Sequence, residues 1–556
     1  MAAARKRGGE GGSAPARASR PRQLTGAIVA HRVDIAIVVA LTVVAAALRL
    51  WRLGAVPDGL HGDEAWTALD AQRVLREGWI GPYVTSALGQ PTGPLYVTAA
   101  LFKILPETTS TARLSMALFG IATIPVAYGA FALMYNRTVA AFGAALLTVM
   151  MWHLHLSRTA FMVVSWPFAE VLVLLALWLA MRRRSIMLFA VAGIVHGLGV
   201  YTYNAYLLFV PVPFVAIAWA SFREPGWRRR ARFALVYGGV FAAGAIIAAL
   251  PMINYVRAHE YDYREHERIV RVTASPQWQE EGFFGRARIV WDRAGEWERG
   301  LFVGGRPDYG DGLATNGNPA VGPIVAALAL IGLGFSMWNW RRAEHAVLLA
   351  CLLLLPLGAL ATYEDGLFRR TLGLAPVLAV LAAFPLAWLW ERGFAAREQV
   401  RGTVTMAVTL IALAVVAVYA TLQYFGPVQD TEAMRFVYPY QIDAASRYID
   451  ELPKDTYVYF YSDRWSFEYE TRRFLAPGYA GEDRTTEFPR DVAGPGDDAA
   501  PDRGRNTAYV FLGTYIDHAK AVIDKYPGGG VSDGWRGDEI EFEAYFLPRT
   551  VVGGAR

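Results

Sequence analysis

Eleven apolar segments of near-membrane length constrain this chain before any other feature. They fall at about 33–51, 112–134, 138–152, 162–181, 186–203, 205–222, 231–253, 319–338, 346–362, 371–390 and 403–425. A bilayer's hydrocarbon core is about 30 Å thick, so a helix of roughly 20 apolar residues crosses it. Only segments that satisfy their own backbone hydrogen bonds persist there, which selects helices here. The 556 residues are 54% hydrophobic and 19% charged, which excludes an ordinary soluble domain. The expected fold class is mainly α: a polytopic helical membrane protein with about eleven transmembrane helices. Prolines such as Pro211 and Pro213 leave some boundaries loose.

Orientation follows from the side on which short loops keep their arginines. The segment before the first span carries Arg5, Lys6, Arg7, Arg17, Arg20, Arg22 and Arg32. Later basic clusters, Arg182–Arg184, Arg228–Arg230, Arg341–Arg342 and Arg392–Arg401, lie on alternate connections that share a side with it. The N-terminus is expected in the cytoplasm and the C-terminal segment outside, in a multi-pass cytoplasmic (inner) membrane protein. Ala45-Ala46-Ala47 mimics a signal-peptidase site, but the apolar run continues to Leu50, so retention is expected. The net charge of +5 comes largely from these arginines. Membrane lipids, not nucleic acid, are the partners it implies. The single cysteine, Cys351, sits inside an apolar span and excludes an intramolecular disulfide.

Three regions follow. Residues 1–32 form a basic tail, expected to be disordered over most of its length and cytoplasmic. Residues 33–425 form the membrane domain, with a first outer loop at 52–111 and a second at 254–318. The first loop holds an amphipathic helix from about Asp63 to Glu77, a Gly/Pro-broken stretch and a second amphipathic piece, Leu95 to Leu105. Such helices suit the headgroup layer. The second loop combines charge with Trp278, Trp291 and Trp297 and ends in the turn-rich GGRPDYGDGLATNGNP, consistent with a cover over a lipid-facing site or with a solvated loop. Residues 426–556 read as a small extracytoplasmic α/β domain, with strands at 456–461, 507–513 and 539–547 and helical patterns near 440–452, 463–475 and 514–526.

Adjacent carboxylates Asp63 and Glu64 open the first-loop helix. Neighbouring helical residues point about 100° apart, so the two cannot easily aim at one atom. One is expected to face a cavity as a base while the other fixes an arginine or an acceptor hydroxyl. The alternative is that both only stabilise the helix N-terminus, where negative charge is favourable.

The motifs HGDEAW, GPLYVTAALFKILPETTSTARLSMALFG, WHLHLSR, GVYTYNAY and FRRTLGLAPVLAVLAA, in this order, resemble bacterial family 39-like glycosyltransferases of the GT-C membrane superfamily. These stand beside protein O-mannosyltransferases and lipid A aminoarabinose transferases. The resemblance covers roughly 33–425 and implies transfer of a monosaccharide from a polyprenyl-phosphate donor to an acceptor hydroxyl outside the cytoplasmic membrane. It places the family's acidic motif on Asp63 and Glu64, with Asp63 as general base of an inverting reaction. Glu64 and His61 of the same motif are then expected to contact substrate. A phosphate leaving group is already a weak base, so one carboxylate suffices where glycoside hydrolases usually need two. The acceptor stays open among glycan, lipid and protein.

A phosphate needs cations on the outer side, and a guanidinium fork matches it bidentately. Arg369 and Arg370 are the first candidates, with pairing to Glu364 and Asp365 as the alternative. Arg158 is a further phosphate candidate, and His153 and His155 are candidate sugar contacts. Tyr201, Tyr203 and Asn204 offer hydroxyl and amide groups for sugar recognition. Glu170, inside the fourth span, is expected to form a structural pair with His196 at similar depth in the fifth. No cofactor and no essential metal are expected, although some relatives use a divalent cation. The rival functions are a flippase or transporter of lipid-linked sugars, and a ligase moving a whole oligosaccharide from a diphosphate carrier.

Overall fold

The computed structural model of the protein describes residues 20–304, 319–363, 368–396, 398–484, 500–502 and 504–554. The first helix, α1, runs Arg20–Leu50, so the end of the basic tail continues into the span as helix. Residues 1–19, most of GGRPDYGDGLATNGNP, and Glu364 and Asp365 lie outside the described residues.

Among the described residues, eight helices are long and apolar enough to cross a membrane, and the shorter apolar helices Arg137–Val149, Ile186–Tyr201 and Pro323–Trp338 complete the eleven segments expected from hydropathy. The connections are capped locally. Thr108 accepts from the Thr111 amide at the start of α4 (Thr109–Met134), and Asn136 from the Val139 amide at the start of the Arg137–Val149 helix. Such caps satisfy amides that a helix start leaves orphaned.

Small residues let the spans approach closely, as membrane interiors favour. A Cβ on Gly332 would stand 1.9 Å from the Leu381 carbonyl oxygen, where the Pro323–Trp338 and Leu374–Phe394 helices cross. A Cβ on Gly193 would stand 2.1 Å from that of Phe241, between Ile186–Leu198 and Gly239–Ala258.

The basic connections gather at one end of the bundle. There Arg137 pairs with Asp34, Asn136 donates to Glu391, Arg184 pairs with Glu224, and Trp219 donates to the Arg341 carbonyl. The opposite end carries the first loop. It comprises α2 (Gly62–Glu77), a hairpin of β1 (Tyr83–Val84) and β2 (Gln90–Pro91), and α3 (Gly93–Phe102). The second long loop contributes helices Glu260–Val270, Pro276–Glu280 and Phe283–Phe302.

After the last apolar helix, Gln399–Phe425, the chain forms a five-stranded mixed sheet of order β4-β3-β5-β7-β6. Its strands are β3 (Tyr457–Tyr461), β4 (Ala480–Asp483), β5 (Thr507–Leu512), β6 (Gly530–Arg536) and β7 (Glu539–Leu547). The strand period of two sends Val458 and Phe460 to one core with Ile442, and Tyr459 and Tyr461 to another with Tyr509. The helix predicted for 463–475 shrinks to Glu470–Leu475. Upstream, Ser462 takes the Arg464 and Trp465 amides and Asp483 takes that of Phe467. Local side-chain acceptors thus replace the helix ladder. The 514–526 pattern likewise divides into a 3₁₀ segment, Gly513–His518, and a short helix, Ala519–Lys525.

Candidate active site

The Asp63–Glu64 pair divides its two carboxylates between structure and cavity. Glu64 is fully buried against Arg113, which donates Nε to Oε1 at 2.9 Å and Nη2 to Oε2 at 3.0 Å. The same carboxylate accepts the Ala160 amide at 2.7 Å and the His61 amide at 3.1 Å. Arg113 also binds the carbonyls of Pro57 and Gly59, each at 2.6 Å. Four donors occupy Glu64, so the expected substrate contact is replaced by a strut joining the 53–61 linker, α2, α4 and the segment before the fourth span. His61 caps α2, its Nδ1 accepting the Asp63 amide at 2.9 Å. Burial, reinforced by the Arg369 charge and partly opposed by Asp63, lowers the imidazole's pKa and favours the neutral ring that this acceptor role requires. His61 also borders the outer cavity described below.

Asp63 points the other way. Its Oδ2 accepts from Arg369 Nη1 at 3.0 Å, and the side chain keeps 38% of its surface exposed. Arg369 begins the turn Arg369–Thr371 and lies over the Phe161 ring at 5.0 Å. Arg370 donates to Thr362 Oγ1 at 2.9 Å.

Asp63, Arg369 and Arg370 border two cavities at once. The inner one, about 370 Å³, has a mainly apolar wall that includes Phe161, Leu207 and Leu208, with Tyr203 and Asn204 among its polar groups. The outer one, about 850 Å³, is bounded by α2 and by Tyr469 and Glu470 of the C-terminal domain. The hairpin tip stands between them, Ala87 bordering both. Three successive residues there have positive φ: Ala87 (50°), Leu88 (63°) and Gly89 (103°). Ser86 donates to the Asp70 carboxylate of α2, whose pKa burial raises, and Asn204 donates to the Gly89 carbonyl at 3.3 Å.

Other expected contacts lie elsewhere. Arg158 donates to the carbonyls of Leu48, Arg49, Trp51 and Val56 at 2.7–3.0 Å and lies 4.9 Å from the Phe425 ring centroid. It thereby satisfies orphan carbonyls at the end of α1 instead of facing phosphate. His155 is held between Tyr438, 3.2 Å from Nε2, and Tyr424, 3.5 Å from Nδ1, outside both cavities. His153 binds Arg49 at 2.9 Å, and Tyr201 donates to the Ala248 carbonyl at 3.0 Å. The Glu170–His196 pair does not form. His196 turns to Tyr206 Oη at 2.8 Å and the Val210 carbonyl at 3.2 Å, while Glu170 lies 4.0 Å from Cys351 Sγ and close under Gly373. Equal depth in two spans did not fix which way either side chain faces.

Arg113, Phe161, Tyr469 and Glu470 also belong to the site or its support, and no motif singles them out. Only Arg113 carried a signal, as an arginine just inside an apolar span. Among the described residues, no group of three or more His, Cys, Asp or Glu side chains is placed to hold a metal.

No family model matches the chain, and no curated protein matches it. Solved structures share its fold. ArnT of Cupriavidus metallidurans in the apo state superposes with a TM-score of 0.52 at 14% identity, covering 95% of this chain and 99% of that one. The same enzyme bound to undecaprenyl phosphate gives 0.51 at 14% identity, covering 94% and 98%. The Archaeoglobus fulgidus oligosaccharyltransferase AglB, in complex with an inhibitory peptide and a dolichol-phosphate, gives 0.52 at 15% identity, covering 89% and 72%. The chain shares the fold of these solved structures over nearly its whole length.

Proposed function

We propose that this protein transfers a monosaccharide from a polyprenyl-phosphate donor to an acceptor hydroxyl at the outer face of the cytoplasmic membrane. The observation that carries this reading is the Asp63–Arg369 pair where a mainly apolar cavity meets a more open one bordered largely by polar residues. Two fold relatives, one described with undecaprenyl phosphate and the other with dolichol-phosphate, support the donor class. The basic connections cluster at the end of the bundle away from Asp63, so the positive-inside bias favours an outward-facing site.

In this scheme the lipid-phosphate enters the inner cavity and its phosphate meets Arg370 and Arg369. The acceptor oxygen attacks the anomeric carbon from the opposite side and gives its proton to the Asp63 carboxylate. The bond from the anomeric carbon to the phosphate oxygen breaks, and the phosphate leaves with the electron pair. Configuration inverts because a single displacement occurs. Arg369 orients the base through the 3.0 Å contact and supplies positive charge beside the departing phosphate.

The test is to incubate the purified protein, in lipid nanodiscs with a membrane-glycan extract as acceptor source, with defined polyprenyl-phosphate monosaccharides. Mass spectrometry should show one donor converted to free polyprenyl phosphate. Consumption of only diphosphate-linked oligosaccharide would favour the ligase reading. Movement of donor between leaflets without bond cleavage would favour a flippase.

A further inference from the structure

The outer cavity has the chemistry of a saccharide site, and the C-terminal domain supplies part of it. Trp66, one turn along α2 from Asp63, lines the cleft partly buried, and the Arg473 guanidinium lies over its ring, 5.4 Å from the centroid. Tyr469 and Glu470 line the cleft together with Trp66, and the Tyr469 hydroxyl lies close against Gly62, next to the base. Thr471 Oγ1 donates to the Leu60 carbonyl at 3.0 Å and pins this short helix against the loop that leads into α2. The remaining wall mixes acceptors and donors, Asp70 with Arg73 and Thr85 with Ser86. Its aliphatic lining is confined to Ala87 and Leu88.

A sugar presents neighbouring hydroxyls, each donor and acceptor, and an apolar ring face of C–H groups. Carboxylates beside arginines match the first, and the partly buried Trp66 indole on the cleft wall matches the second. A peptide acceptor needs a strand edge or side-chain pockets for recognition, and a lipid acceptor needs a long apolar channel. The apolar cavity that meets the cleft at Asp63 is the one the donor lipid takes in the proposed scheme, and the cleft's own wall is built from α2, the hairpin tip, the Arg369–Arg370 turn and the start of the Glu470–Leu475 helix.

We infer that the acceptor is a saccharide bound in this outer cleft, stacked on Trp66 and hydrogen-bonded by Tyr469 and Glu470, so that one hydroxyl reaches Asp63. This deepens the glycosyl-transfer reading and rests on it. The C-terminal domain is then a specificity element, selecting the acceptor through the two residues it lends to the cleft.

The test uses full-length protein in nanodiscs and saturation-transfer NMR with tetrasaccharides of mannan, arabinan, galactan and glucan, beside serine- and threonine-containing peptides. At least one tetrasaccharide should bind, with Kd raised roughly tenfold or more by Trp66→Ala and by Glu470→Gln. Trp66→Tyr, which keeps an aromatic face, should retain binding and guards against a folding defect. Native mass spectrometry of polyprenyl phosphate on the same samples should show equal occupancy in wild type and variants. Absence of tetrasaccharide binding, equal binding by wild type and both variants, or peptide binding in its place overturns the inference. Failure of polyprenyl phosphate to bind the wild type would instead overturn the donor reading, leaving the saccharide result to stand by itself.

Discussion

At the residue scale, two adjacent carboxylates separate into two physical roles. Breaking a buried ion pair leaves an uncompensated charge and costs about 3–5 kcal/mol. Arg113→Ala should therefore sharply reduce folded protein in the membrane, measured by detergent-resistant monodispersity and thermal melting. The 100° offset between neighbours made the division legible in advance, since one side chain had to fix an arginine or an acceptor hydroxyl. Which arginine was not legible, because Arg113 stands 49 residues away from Glu64. His61 gives a pH prediction. Its folded pKa is depressed by burial, so the unfolded chain binds the proton more readily. The stability it contributes is complete above its unfolded value of about 6.5 and is lost as pH falls toward the folded value. His61→Asn keeps a capping side chain and should flatten the acid limb of melting temperature against pH.

At the element scale, the spans were readable because length and apolarity alone specify them. The contacts between them were not, because hydropathy says nothing of which face a residue takes. Glu170 and His196 show this, each finding a different neighbour at the same depth. Gly332 marks a crossing where a side chain would collide with the Leu381 carbonyl, a backbone atom that cannot swing aside. Gly332→Val should cost about 1–3 kcal/mol through overpacking, read as a lowered melting temperature. The hairpin escaped prediction for a different reason. Its two-residue strands carry no periodicity, and its tip is held by Asp70 and Asn204, which are distant in sequence. The Gly/Pro content of 81–94 announced a break in helix, not the partition between two cavities that it forms.

At the scale of the whole molecule, membrane domain and sheet meet at the proposed chemistry. Arg536 pairs with Asp58 at 2.7 Å, Thr471 with the Leu60 carbonyl, and Tyr438 with His155. The C-terminal unit was legible as α/β from three strands, but its contribution to the site was not, since Tyr469 and Glu470 follow no motif. Sidedness is directly testable because Cys351 is the sole cysteine and is buried. Trp79→Cys, at a site that is 66% exposed near the end of α2, should react with a membrane-impermeant maleimide in intact cells. Arg229→Cys, in a basic connection, should react only after permeabilisation.

The most direct measurement is acceptor-dependent donor consumption by Asp63→Asn, compared with wild type at matched folded protein and matched polyprenyl-phosphate occupancy. Loss of the base should lower turnover by about 10²–10⁴-fold while the melting temperature stays unchanged. Turnover at the wild-type rate would contradict the assignment of proton removal to Asp63.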